Sequence, residues 1–266
     1  MAEKIKVAVA GALGRMGQET VKAVAGDEDL ELVGAVDVQA RGQKLSEVVG
    51  LSGLDLDVVD DLATLIQARR PDVIVDFTNA QAVFDNVRTT VGQGLTSVVG
   101  SSGLNQVEIR ELSRLAEEKQ TGVAVIPNFA IGAVLMMMFA RQAARYLPQA
   151  EIIELHHDQK IDAPSGTAIK TAEMINDAIE GLPPRGVQEI EKISGSRGGN
   201  LNHVRIHSVR LPGLVAHQEV IFGGAGQSLT IRHDSFNRES FMPGVLLVIK
   251  KMHGRKGLVY GLENFL

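Results

Sequence analysis

Ile5-Lys6-Val7-Ala8-Val9-Ala10-Gly11-Ala12-Leu13-Gly14-Arg15-Met16-Gly17 is the stretch whose reading decides the fold. Its first six residues read as a buried strand, which runs without a linker into three glycines spaced GxxGxxG. A helical pattern through Val21, Val24 and Ala25 follows. The spacing is a variant of the dinucleotide-binding fingerprint, in which glycine permits a tight turn, close approach of backbone to a pyrophosphate, and close packing of helix on strand. The next strand, Leu30 to Val36, ends at Asp37, twenty positions after Gly17. An acidic side chain there is placed to accept hydrogen bonds from the adenosine ribose hydroxyls. Its alternative is a solvated loop carboxylate. Arg15 and Arg41 are both near enough in sequence to meet a 2′-phosphate, so NADH and NADPH stay open as the cofactor.

The strand-helix rhythm continues. A helix over Ala63 to Ala68 precedes a strand over Asp72 to Thr78, a helix over Ala82 to Val91 precedes a strand over Thr96 to Val99, and a helix over Gln106 to Gln120 precedes a strand over Val123 to Ile126. These strands are continuous apolar runs, as a parallel sheet covered on both faces demands. The expectation is an α/β, doubly wound parallel sheet of Rossmann-like type. Ligands of such sheets lie beyond the carboxyl ends of the strands. Phe77-Thr78, Gly100-Ser101-Ser102 and Pro127-Asn128-Phe129 are therefore candidate lining for the nicotinamide, although ordinary turn chemistry also uses glycine, serine and asparagine.

Near residue 130 the character changes. Ile131 to Tyr146 reads as a long apolar helix, and Glu151 to Leu155 as a strand ending in His156-His157-Asp158-Gln159-Lys160-Ile161-Asp162-Ala163-Pro164-Ser165-Gly166-Thr167. The two histidines point to opposite faces of the strand end. Ser165 or Thr167 is a natural N-cap for a helix through Ile175, whose N–H groups would start close to Lys160. Singly, these residues suit an ordinary loop. Together, an acid/base, a cation and an anion-binding helix start are the parts of a catalytic site for a small anionic substrate. Leu182-Pro183-Pro184-Arg185-Gly186 and Gly195 to Asn200 read as loops. His203 to Arg210, Ala216 to Phe222 and Ser228 to Asp234 read as strands without helices between them, so a second, α+β domain with an open, mostly antiparallel sheet is expected. One face of that sheet could pair with another subunit. Phe241 to Met252 and Gly257 to Leu262 read as a helix and a terminal strand able to return to the first domain.

Composition narrows the classes. The 266 residues carry a net charge of −5, with 44% hydrophobic and 22% charged residues, which describes a globular chain with no electrostatic reason to bind nucleic acid or an anionic membrane. There is no cysteine, which excludes thiolate catalysis and cysteine-built zinc sites. The scattered His203, His207, His217 and His233 do not form a convincing metal site. Without a signal-like start or an apolar stretch long enough to span a bilayer, a cytoplasmic enzyme or binding protein is the default.

The Gly11-to-Gly17 turn together with Glu154 to Ala168 closely resembles the dihydrodipicolinate reductase family, also termed 4-hydroxy-tetrahydrodipicolinate reductases. The similarity spans the chain, including Asp76-Phe77-Thr78, Asn128-Phe129, His207 to Arg210 and Arg232 to Ser235. The resemblance implies a cytoplasmic homotetramer that uses NADH or NADPH to reduce a cyclic dicarboxylate imine in lysine and diaminopimelate biosynthesis. It also implies a discontinuous dinucleotide-binding domain, residues 1–128 and 238–266, around a substrate-binding and oligomerisation domain, residues 129–237. Carried over, His156 looks like the family's general acid/base and Lys160 its proton donor. His157, Ser165, Gly166 and Thr167 look like substrate contacts. Cofactor contacts fall on Gly11, Ala12, Leu13, Gly14, Arg15, Met16, Gly100, Ser101, Ser102, Ile126, Pro127, Asn128 and Phe129, with Phe77 added as strand-end lining and Asp37 on spacing. Many relatives have threonines where this chain has Ser101 and Ser102, which keep the hydroxyls and lose the methyl contacts. Two competing readings are a related reductase of another amino or keto dicarboxylate, which would not need paired histidines before Lys160, and a redox-sensing dinucleotide module without catalysis.

Overall fold

A computed structural model describes residues 3–179 and 190–266. The loop expected at Leu182 to Gly186 lies outside them. The chain divides into two units, Met1–Phe129 with Phe241–Leu266, and Ala130–Ser240.

The first unit contains β1 (Ile5–Ala10), α1 (Arg15–Gly26), β2 (Leu30–Val36), α2 (Leu45–Val49), β3 (Val58–Val59), α3 (Leu62–Arg69), β4 (Val73–Asp76), α4 (Val83–Gly92), β5 (Thr96–Val99), α5 (Gln106–Lys119) and β6 (Gly122–Val125). Its strands form one parallel sheet in the order β6-β5-β4-β1-β2-β3, the doubly wound arrangement expected from the alternating pattern. All four residues of each of β4, β5 and β6 are buried, because helices cover both faces. Strand order reverses between β1 and β4, and there the sheet offers a crevice to a ligand.

The second unit contains α6 (Ile131–Ala144), β7 (Gln149–His156), α7 (Gly166–Ala178), β8 (Gly199–Leu201), β9 (Val204–Arg210), β10 (Ala216–Gly224) and β11 (Gln227–Ser235). The sheet order is β11-β10-β7-β9-β8, antiparallel throughout except for the parallel pair β7-β9. Helices α6 and α7 pack on one face, where Ile152 meets Val220 and Ile206 across the register. Strand β8 begins inside the stretch expected to be a loop. Gly199 is drawn into a ladder by antiparallel pairing of Gly199–Leu201 with Val204–Ile206, a contact that composition does not foretell.

The chain then returns to the first unit as α8 (Met242–Met252) and β12 (Gly257–Tyr260), and β12 extends the parallel sheet beside β6. A Cβ on Gly244 would overlap the carbonyl of Phe129, so α8 lies directly on the backbone that follows β6. Gly244→Ala should therefore force the helix away and cost about 1–3 kcal/mol, the usual range for overpacking. A lowered urea midpoint at unchanged slope would register this. An unchanged midpoint would show that the contact gives without cost.

Candidate active site

In the first unit the glycine turn has the form its spacing suggested. Gly11 has φ +77°, and a Cβ there would run into the Phe77 carbonyl. A Cβ on Gly17 would overlap the Gly11 carbonyl, so α1 can start this close to β1 only with glycine. Gly14 is the N-cap of α1 and makes no side-chain cap, which leaves the helix start without a competitor for an anion. Beside this turn lies a cavity of about 440 Å³, lined among others by Gly11, Leu13, Gly14, Val36, Asp37, Phe77, Thr78 and Asn79. It sits at the carboxyl ends of β1, β2 and β4, and these residues suit a dinucleotide. Asp37 faces the cavity and is fixed there, its two carboxylate oxygens accepting the backbone N–H groups of Leu13 and Gln39, each at 3.0 Å.

A second group from the same unit gathers around buried Asp76, the last residue of β4. Its carboxylate accepts from the Thr78 backbone at 2.9 Å, Thr78 Oγ1 at 2.6 Å, Asn86 Nδ2 at 2.9 Å and Ser101 Oγ at 2.7 Å. These bonds tie the end of β4 to the end of β5. A Cβ on Gly100 would collide with the Phe77 ring, and the Phe77 and Phe129 rings stand 5.7 Å apart. Phe77, Gly100, Ser101 and Phe129 are thus brought together, as expected of strand ends in one parallel sheet. Ala12, Ile126 and Phe129 are buried, so their side chains serve packing. Arg15, Ser102 and Pro127 are exposed, and Met16 and Asn128 partly so.

In the second unit His156 is the last residue of β7, and His157 lies exposed just beyond it. Glu154, two residues before His156 and so on the same face, is completely buried. His156 Nδ1 lies 2.5 Å from Glu154 Oε2. Arg210, opposite His156 on β9, donates to both oxygens of Glu154, at 3.0 and 2.8 Å. Burial pushes the Glu154 carboxyl up, but hydrogen bonds from His156, Arg210 and Ser208 outweigh it and hold the group at about 2. Arg210 also donates to the Asp162 carbonyl at 2.7 Å, while its Nε is buried without a partner among the described residues.

Lys160 is held on the loop by Asp162, with Nζ at 2.6 and 2.8 Å from its two oxygens, and this ammonium lowers the Asp162 carboxyl below its usual range. Of the two possible caps, Ser165 is the N-cap of α7, its Oγ accepting the Ala168 N–H at 3.2 Å. Gly166 follows at the first helical position, and a Cβ there would meet nothing within 4 Å. Nothing within the fold requires glycine at that point.

Glu154, Arg210 and Asp76 are among the residues of these constellations that were not singled out from sequence as site residues. Glu154 and Arg210 come together only through the β7-β9 register, 56 positions apart in the chain. Asp76 could have been suspected as a charge ending an apolar strand.

Comparison with known proteins gives a consistent picture. Residues 5–129 match the family model described as dihydrodipicolinate reductase, N-terminus, and residues 132–266 the model for its C-terminus. The chain is 64% identical over 266 residues to a protein of Syntrophomonas wolfei subsp. wolfei named 4-hydroxy-tetrahydrodipicolinate reductase, covering 100% of both chains. It is 51% identical to one of the same name from Listeria innocua serovar 6a, with 98% of this chain and 100% of the relative covered. Among solved structures, a dipicolinate-bound dihydrodipicolinate reductase from Paenisporosarcina sp. TG-14 superposes with a TM-score of 0.86 at 46% identity, covering 99% of this chain and 100% of that one. The chain, with its glycine-turn nucleotide unit and its His156-to-Thr167 loop, belongs to the dihydrodipicolinate reductase family of NAD(P)H-dependent oxidoreductases.

Proposed function

We propose that the chain reduces the cyclic dicarboxylate 4-hydroxy-tetrahydrodipicolinate, by way of its dehydrated form, to tetrahydrodipicolinate. The observation that carries this reading is the loop from His156 to Thr167, which sets an imidazole, an ammonium and a helix start within twelve consecutive residues, with the Glu154 carboxylate behind the imidazole. A bound reduced nicotinamide supplies the hydride. The first unit holds its dinucleotide through the turn Gly11 to Met16, with Asp37 at the ribose and Phe77, Gly100 to Ser102 and Ile126 to Phe129 toward the nicotinamide. In the second unit the start of α7 at Gly166 and Thr167 accepts one substrate carboxylate, and Lys160 exchanges Asp162 for substrate charge. His157 and Ser165 complete the pocket. Hydride addition pushes an electron pair toward the ring nitrogen and α-carbon. His156 or Lys160 must then deliver a proton there.

Units Met1–Phe129 with Phe241–Leu266 and Ala130–Ser240 would then serve as the dinucleotide-binding and the substrate-binding and oligomerisation domains. A cytoplasmic homotetramer accords with this reading. No helix among the described residues is long and apolar enough to cross a membrane. The second sheet, covered by α6 and α7 on one face, presents partly exposed Ile153, Leu155, Val209 and Ile221 on the other, an apolar set suited to another copy.

The cavity also bears on which dinucleotide is preferred. Asp37, Asp60 and Asp61 line it, and no lysine or arginine does so among the described residues. A 2′-phosphate brought against carboxylates without a cation is repelled, whereas ribose hydroxyls find acceptors. NADH should bind at least about 10-fold more tightly than NADPH, some 1.4 kcal/mol, as read by nicotinamide fluorescence, and Asp37→Ala should narrow the ratio. Equal affinities would refute the preference.

The central test follows oxidation of NADH and NADPH with substrate generated from pyruvate and aspartate semialdehyde. Rapid oxidation is expected from the unaltered chain, and His156→Ala and Lys160→Ala should each lower kcat by about 10²-fold or more while leaving dinucleotide binding intact. Unchanged turnover in both variants would overturn the site assignment.

A further inference from the structure

The mechanism above uses His156 and Lys160 but gives no task to the buried ion pair behind them. Glu154 has no exposed surface, and a carboxylate is placed in such a position at considerable cost unless donors surround it. Here Arg210 grips both of its oxygens and Ser208 also donates. A fold seeking only stability does as well with apolar residues at both positions. What the pair supplies instead is seen in its other contacts. Glu154 Oε2 meets His156 Nδ1, and Arg210, whose Nη2 holds Glu154 Oε1, reaches the carbonyl of Asp162 on the loop that carries Lys160.

We propose that Glu154 and Arg210 are positioning residues that set the state of His156 and its alignment with Lys160. An ionised carboxylate accepts and cannot donate, so the hydrogen at the Glu154–His156 contact sits on Nδ1. The nitrogen left to exchange a proton with substrate is Nε2. Once His156 takes up a proton, Glu154 stabilises the imidazolium, which makes the residue ready to give that proton to the carbon or nitrogen that gains the electron pair. Together with His156 and Ser208, Arg210 keeps Glu154 ionised against the pull of burial, and its two hydrogen bonds fix the carboxylate in the orientation that meets Nδ1. Its bond to the Asp162 carbonyl makes the same guanidinium a strut between the histidine and the lysine loop. Among the described residues, Glu154 on its own strand bonds the His156 ring, Arg210 lies opposite it on β9, and Ser208, Asp162 and Lys160 are linked to it through Glu154 and Arg210.

This inference rests on His156 being the acid/base group, and the experiment separates the two. In the intact full chain labelled with ¹⁵N, side-chain histidine spectra at pH 8 read the tautomer of each of the seven histidines, and the signal lost in His156→Ala identifies His156. The expected signal is Nδ1–H, and it needs no variant of the ion pair to fold. In Glu154→Gln the tautomer should shift toward Nε2–H, kcat should fall about 10-fold or more with little change in KM, and the alkaline limb of kcat/KM should move to lower pH. Glu154→Asp should restore part of the limb, which a merely structural role would not do. An Nε2–H signal in the unaltered chain, or a tautomer and pH profile unmoved in Glu154→Gln, would overturn the proposal. Full turnover in His156→Ala would instead overturn the reading of His156 itself.

Discussion

A carboxylate removed from water must be met by donors, and in each unit the chain resolves this requirement at the end of a strand. Asp76 ends β4 and takes four hydrogen bonds, from Thr78, Asn86 and Ser101. Glu154 lies two residues from the end of β7 and takes those of Arg210, Ser208 and His156. Apart from His156, which ends β7 itself, the donors come from outside the strand, so satisfying the charge fixes the relative placement of separate segments. The residues fixed in this way belong to the proposed site: Phe77 and Ser101 beside Asp76, His156 and the Lys160 loop beside Glu154. The buried charges are thus better understood as constraints on geometry than as sources of stability, since a buried ion pair rarely outperforms an apolar replacement of equal volume.

The same distinction explains what sequence could and could not convey. Continuous apolar strands, the spacing Gly11-Gly14-Gly17 and the acidic end of the second strand follow from local chemistry, and the parallel order β6-β5-β4-β1-β2-β3 is their direct outcome. The His156-to-Thr167 loop was legible because its parts are consecutive. Glu154 was quoted within the family motif, yet its burial could not be known, because nothing near it in sequence discloses that β9 will bring Arg210 alongside. Short elements failed for a related reason. Strand β3, only Val58–Val59, exists through pairing with Ala35 and Val36, and β8 through pairing with β9. Neither carries enough residues to show a period.

The glycines divide along a similar line. Those at 11, 17, 100 and 244 are demanded by the protein itself, because a Cβ on any of them would enter the backbone or ring of a neighbour. Three of the four serve the carboxyl edge of the parallel sheet, where Phe77 is pressed between the Gly11 turn and Gly100. Close approach there holds the nucleotide-facing residues in place before any ligand arrives, and preorganisation of this kind spares the binding step part of its ordering cost. Gly166 belongs to another class. It has an ordinary backbone and empty space around its missing side chain, directly after the Ser165 cap. Folding alone would accept alanine at this first helical position, and alanine is the better helix former. On the proposed reading, in which a substrate carboxylate rests on the first N–H groups of α7, the open space at Gly166 leaves room for it. That open space lies directly after the loop that carries His156 and Lys160, the two residues the proposed reaction uses.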